Sequence, residues 1–325
     1  MPLPFAFLLF AGAEAFQASN ALLYAIIAQE VLGLGSFHLG ATWFHFLDRD
    51  NRNYYFIDEK SRKLSFIIGS IFLYLASVLG QIYVAPILFF FYICWSLNHV
   101  VQQNIGILLL YQNNKTNEAK VPRNIQAWSQ RLLVLCFSLL FFKRTILAGT
   151  PLAEFMWAPI AICAIAGLAF CIAYVTNLGM QLAAGKYLNL PGFVFWLVCV
   201  ASFIPFGFLG KDYNAAAMIP LVVHWCQYIG LNYIVAERKY QEGQIDKLPV
   251  KRPIMLYLAS GAFLVTIVTI MKFIDDSQGQ NSILGNIIKG SVLGFSMVHY
   301  YQDGFLWRFR DKFPREAMLP YLIRH

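Results

Sequence analysis

Long apolar segments recur along the whole chain, and they restrict its fold more strongly than any other feature. Each runs for about 20 residues, the length of helix that crosses a hydrocarbon core about 30 Å thick. With 58% hydrophobic and 13% charged residues, the chain has too little polar surface to form a water-soluble shell. The predicted spans are 3–18, 20–47, 64–79, 84–111, 129–147, 153–177, 190–209, 214–236, 254–274 and 283–307.

These segments predict an all-α, polytopic transmembrane helix bundle. It has ten spans, or nine if the short first segment does not cross the bilayer. No linker or low-complexity tract divides the sequence, so residues 1–325 are predicted to form a single integral membrane domain.

The distribution of basic residues predicts the orientation of the bundle. Twenty of the 25 lysine and arginine residues lie in the loops or tail that follow even-numbered spans. Because cytoplasmic loops carry the basic excess, both termini are predicted to be cytoplasmic, in what we expect to be a bacterial inner membrane. The same loops account for most of the net charge of +8, so no nucleic-acid partner is expected.

Histidines lie only on the even-numbered spans, apart from the C-terminal His325. They are His38 and His45 in span two, His99 in span four, His224 in span eight and His299 in span ten. At 1.5 Å per residue, all except His45 fall within one slab about 6 Å deep in the cytoplasmic half of the bilayer. His45 lies about 10 Å lower than His38 on the same helix face. The predicted metal ligands are therefore His38, His99, His224 and His299.

Polar residues at helical spacing accompany these histidines and are predicted to orient them. A metal-bound imidazole usually donates its second ring N–H to an oxygen, which fixes its tautomer. Three of the histidines have a glutamine three residues later, on the same helix face. The predicted ligand-orienting residues are Gln102, Gln103, Gln227, Gln302 and His45, and the predicted catalytic residues are Asp303 and Glu30. Asp303 would orient a ligand or bind the metal itself, whereas Glu30 would relay protons or pair with Gln29.

Two short stretches resemble a known family. FHLG at His38 and H-x3-D at His299 resemble stretches of the bacterial membrane dioxygenases that cleave β-carotene to retinal. That resemblance implies a non-haem iron held by histidines on separate helices. The ending HYYQDGFLWRFRD is similar to the endings of uncharacterised bacterial polytopic proteins, which implies no activity.

The sequence thus predicts a metal-dependent oxidoreductase or oxygenase that acts on a lipophilic small molecule from the bilayer. Imidazole ligands suit iron, copper or zinc, and iron is favoured. An electron-donor protein on the basic cytoplasmic side is a predicted partner. One alternative is a b-type haem protein with histidine pairs as axial ligands. Another is a proton-coupled transporter that uses Glu30, His224, His299 and Asp303 as a relay.

Reporter fusions in a bacterial host test the predicted orientation. We expect alkaline phosphatase fused after His325 to be inactive, because its disulfides form only outside the cytoplasm. As a control, the same reporter inserted after Gly149, in a loop predicted to be external, should be active. Active phosphatase at the C-terminus would contradict the orientation.

Overall fold

The described part of the chain is entirely helical. A computed structural model describes residues 35–44, 46, 48–58, 60–112, 117–208, 213–243, 262 and 282–323. The helices are α1 (Ser36–Phe44), α2 (Arg49–Asn53), α3 (Lys60–Tyr83), α4 (Ala85–Gln112), α5 (Arg123–Arg144), α6 (Pro151–Phe155), α7 (Trp157–Ala183), α8 (Leu190–Ala201), α9 (Ile204–Phe208), α10 (Tyr213–Gln241), α11 (Ile283–Leu306), α12 (Lys312–Ala317) and α13 (Leu319–Ile323), with a π-helical turn at Tyr54–Asp58. Within these ranges the chain forms no strand, and one isolated bridge pairs Glu118 with Tyr187. The predicted all-α class is confirmed.

Six of the described segments are long and apolar enough to cross a membrane. They are Lys63–Tyr83, Ala85–Gln112, Arg123–Arg144, Pro151–Ala183, Leu190–Phe208 and Ile219–Gln241. They coincide with the third to eighth predicted spans and indicate an integral membrane protein. Helix α11, the predicted tenth span, has 24 residues but is less apolar and is not one of the six.

The remaining predicted spans lie wholly or partly outside the described residues. Span 3–18 is outside them, as is span 254–274 except for Ala262, and span 20–47 is described only from Gly35. The total of nine or ten spans and the orientation therefore stay predictions.

The described residues fall into two compact units. The first takes in those between 100 and 224, and the second takes in those between 35 and 99 and between 225 and 323. The division passes through α4 directly after His99 and through α10 directly after His224. The single domain predicted from the sequence stays a prediction.

The first unit is built on the packing of α5 against α7. Cys136 and Leu140 on α5 form a buried cluster with Ile160 and Cys163 on α7. Farther along α7, the ring of Tyr174 stacks on Trp196 of α8 with centroids 4.1 Å apart. The indole N–H of Trp196 then donates to Ser129 Oγ of α5 at 3.0 Å.

In the second unit, α11 packs closely along α3 because small residues line the contact. A Cβ atom added at Gly290 would lie 2.7 Å from the Cα of Val78, and one at Gly294 would lie 3.0 Å from Tyr74 Cδ2. Glycines four residues apart allow two membrane helices to approach at backbone distance. The Tyr74 hydroxyl also donates to Ser291 Oγ at 2.9 Å. This contact places the part of α11 that carries His299.

A buried ion pair ties three segments of the second unit together near the end of α10. Asp48 Oδ1 caps α2 by accepting from the backbone N–H of Asp50 and Asn51. Its Oδ2 pairs with Lys239 Nζ of α10 at 2.8 Å, and both side chains are at most 10% exposed. The Lys239 ammonium also lies over the ring of Tyr321 on α13, 5.6 Å from its centroid.

The glycine contact between α3 and α11 can be tested by substitution. We expect Gly290→Ala to lower the free energy of unfolding by about 1–3 kcal/mol, because the new methyl group forces the two backbones apart. The apparent melting temperature in detergent should fall by several degrees. Gly304→Ala on the same helix is the matched control, since a Cβ there meets nothing within 4 Å. Equal melting temperatures for the two variants would show that the close approach is not required.

Candidate metal centre

Four buried histidines from four different helices form a group that can hold a metal ion. His38 lies on α1, His99 on α4, His224 on α10 and His299 on α11. Their side chains are between 1% and 9% exposed. One ring nitrogen from each lies within 4.8 Å of the others. The sequence predicts the same four histidines as metal ligands, because they lie at a similar depth in the predicted spans.

The spacing of the four nitrogens is close to that of a mononuclear site. Nitrogens bound to one ion at about 2.1 Å lie at most about 4.2 Å apart. Because the observed separations are within 4.8 Å, small side-chain movements would close the group on an ion. Four neutral imidazoles suit iron, copper, nickel or zinc, and they suit magnesium or calcium poorly.

Aromatic contacts orient the imidazole rings. The rings of His38 and His299 meet edge to face with centroids 4.3 Å apart, and those of His99 and His299 are 5.2 Å apart. Tyr300 stacks on His99 at 4.5 Å, and its hydroxyl donates to Ser96 Oγ at 3.1 Å. Packing of this kind limits the rotamers open to each ligand and so pre-organises the group.

Asp303 places a carboxylate beside two of the histidines. Its Oδ2 lies 3.6 Å from Nε2 of His99 and 3.6 Å from Nε2 of His299, and its side chain is 5% exposed. A buried carboxylate is costly unless a positive charge or hydrogen bonds compensate it. A bound cation would be such a charge, and the role of Asp303 toward a metal stays a prediction.

The other carboxylate oxygen of Asp303 accepts from two hydroxyl groups, and neither belongs to a predicted site residue. The Tyr228 hydroxyl donates to Oδ1 at 2.5 Å, and the Thr42 hydroxyl donates to the same oxygen at 3.3 Å. Thr42 Oγ1 also lies 2.5 Å from Nδ1 of His299 and 2.7 Å from the Tyr228 hydroxyl. Thr42 and Tyr228 therefore link one candidate ligand to the carboxylate.

A regular spacing could have identified these residues. Each of the four histidines is followed at the fourth position by a polar residue: Thr42, Gln103, Tyr228 and Asp303. The predicted ligand-orienting residues follow mainly from glutamine at the third position, although Gln103 and Asp303 are at the fourth. Three of the four residues at the fourth position belong to the network around Asp303.

The predicted ligand-orienting glutamines have varied surroundings. Gln102 is exposed, and Gln227 is half-buried. The Gln103 amide donates to the backbone carbonyl of His224 at 3.2 Å, and that of Gln302 donates to Ser70 Oγ at 3.2 Å. Their roles stay predictions. Glu30 and His45 lie outside the described residues.

Comparison with known proteins does not assign the chain to a family. No protein-family model, no curated protein and no solved structure matches the chain. The resemblance to carotene dioxygenases stays a prediction.

Metal addition should stabilise the purified protein if the four histidines bind an ion. A ligand that binds only the folded state, at a concentration 100 times its Kd, raises the free energy of unfolding by about 2.7 kcal/mol. We therefore expect Fe²⁺ or Co²⁺ to raise the melting temperature by several degrees. His299→Gln should abolish most of this shift, whereas the control His325→Ala should keep it. A wild-type melting temperature that does not respond to any of iron, cobalt, copper or zinc would contradict a metal site.

Proposed function

We propose that this protein is a membrane-embedded, metal-dependent oxidoreductase or oxygenase that acts on a lipophilic substrate. The observation that carries the proposal is the buried group of four histidines on four helices, with ring nitrogens within 4.8 Å of one another. Imidazole with a neighbouring carboxylate occurs in non-haem iron sites and in catalytic zinc sites, but zinc has no redox chemistry. Iron is therefore the proposed metal of a redox reaction, with copper as the alternative.

The bound metal would supply electron transfer and the activation of dioxygen at a coordination position left open. The protein's own residues hold and orient the centre. The imidazoles bind without adding charge, and Asp303 offers a negative charge 3.6 Å from His99 and His299. Tyr300 holds the His99 ring by stacking.

Burial of the group supports a lipophilic substrate. His38, His224 and His299 are at most 2% exposed, and His99 and His224 lie on helices apolar enough to span a membrane. A substrate that reaches such a centre has to leave water, which an apolar molecule dissolved in the bilayer has already done. In this proposal an electron-donor protein on the basic cytoplasmic side delivers the electrons. The membrane is a bacterial inner membrane.

The ring contacts favour a non-haem centre over a b-type haem. Two axial histidines of a haem face each other across the porphyrin plane. Here the rings of His38 and His299 touch edge to face at 4.3 Å, and His99 approaches His299 at 5.2 Å. These contacts occupy the space that a macrocycle between His299 and either of the other two rings would need.

Elemental analysis and redox spectroscopy of detergent-purified protein test the proposal. We expect about one equivalent of iron per chain, with a paramagnetic signal that changes on reduction by dithionite and returns on exposure to dioxygen. His99→Gln and His299→Gln should each lose most of the metal, and His325→Ala should retain it.

The possible outcomes separate the alternatives. Copper with the same redox response would keep the function and change the metal. Zinc alone would overturn the redox function while leaving a metal site, and a Soret band would indicate haem. Less than about a tenth of an equivalent of any transition metal would overturn the proposal and favour a transporter.

A further inference from the structure

A chain of hydrogen bonds joins His299 to Asp303 through two hydroxyl groups. Nδ1 of His299 lies 2.5 Å from Thr42 Oγ1. Thr42 Oγ1 lies 2.7 Å from the Tyr228 hydroxyl, which donates to Asp303 Oδ1 at 2.5 Å. All four side chains are at most 5% exposed. The three contacts are short and closed off from solvent, so each needs one proton between its two heavy atoms.

With Asp303 as a carboxylate, only one arrangement of protons satisfies the three short contacts. The carboxylate cannot donate, so the Tyr228 proton points to Asp303. The Thr42 proton must then point to Tyr228. The longer contact of 3.3 Å between Thr42 and Asp303 has no proton of its own and can only share this one. The proton in the contact between Thr42 and His299 must therefore come from the imidazole, which carries it on Nδ1. Its lone pair is therefore on Nε2.

We infer that Thr42 and Tyr228 are positioning residues that hold His299 in the tautomer that binds the metal through Nε2, and that aim the Asp303 carboxylate at the centre. The inference rests on the metal site of the proposed function, not on its redox activity. Histidine ligands usually donate their second N–H directly to an oxygen. Here two hydroxyl groups extend that link to a carboxylate whose other oxygen lies 3.6 Å from His299 Nε2.

Packing fixes the ring that carries the Tyr228 hydroxyl. The Tyr228 ring meets His38 edge to face at 4.5 Å and His299 at 5.3 Å. It also forms a buried cluster with Ala41 and Ala236. Because this packing belongs to the ring, Tyr228→Phe removes the hydroxyl and leaves the apolar contacts. Thr42→Val likewise keeps the shape of the side chain.

Metal affinity and the spectrum of the cobalt-loaded protein test the inference. Purified full-length protein is stripped of metal and titrated with Co²⁺ in competition with a chelating indicator. We expect Thr42→Val and Tyr228→Phe to weaken binding about 10- to 100-fold, as is typical for residues that orient a ligand. The visible d–d bands should shift in both variants, because the orientation of His299 changes.

Two control variants separate orientation from stability. Thr42→Ser keeps the hydroxyl and should restore affinity to within about threefold of the wild type. Tyr55→Phe removes a hydroxyl from an equally buried tyrosine of the same unit, which donates to the Phe305 carbonyl at 3.2 Å. It should bind Co²⁺ as the wild type does, with the same spectrum.

The outcomes distinguish the inference from the proposed function. If the wild type binds Co²⁺ and both Thr42→Val and Tyr228→Phe match it in affinity and spectrum, only the inference is overturned. The same holds if Thr42→Ser is as weak as Thr42→Val, because the hydroxyl is then irrelevant. A wild type that binds no metal overturns the proposed function and the inference with it.

Discussion

The cost of burying ionisable groups is the constraint on which the rest of this structure depends. Four imidazoles and a carboxylate are withdrawn from water, and each would be expensive in isolation among apolar helices. Collecting them in one place lets them compensate one another. Ring contacts, hydroxyl donors and a nearby carboxylate replace part of the lost hydration, and a bound cation would replace more. The same cost disfavours a scattered arrangement. Groups buried at such a cost are functional candidates by default.

Helices give the group its precision. Every candidate ligand and every member of the hydrogen-bond network lies on a helix: α1, α4, α10 or α11. The backbone of a helix is stiffer than that of a loop, and a site built on it keeps its geometry. The glycines of α11 add to this stiffness, since backbone contact with α3 leaves little freedom to slide. The group of histidines is held by close packing at positions remote from it.

Much of this arrangement is predictable from the sequence. The remainder is not predictable, and the reasons can be identified. Apolar length predicts the helices, and residue counts from their ends predict that His38, His99, His224 and His299 share a depth. Spacing alone does not rank the third position against the fourth, so it does not single out Thr42 and Tyr228. Side chains on a helix lean toward its N-terminus, so a residue at the fourth position reaches back over the histidine. The contact between Thr42 and His299, 257 residues apart, depends on helix packing that no local pattern contains.

The buried pair of Asp48 and Lys239 has a consequence for how this protein will respond to mutation. Asp48 follows the helix that carries His38 and Thr42, and Lys239 belongs to the helix that carries Tyr228. Breaking the pair leaves a buried charge without its partner and weakens the link between α2 and α10. A genetic screen for lost activity would therefore recover these two positions together with the histidines. Variants at these positions would have the same phenotype as variants of the histidines, although the ion pair acts by linking helices.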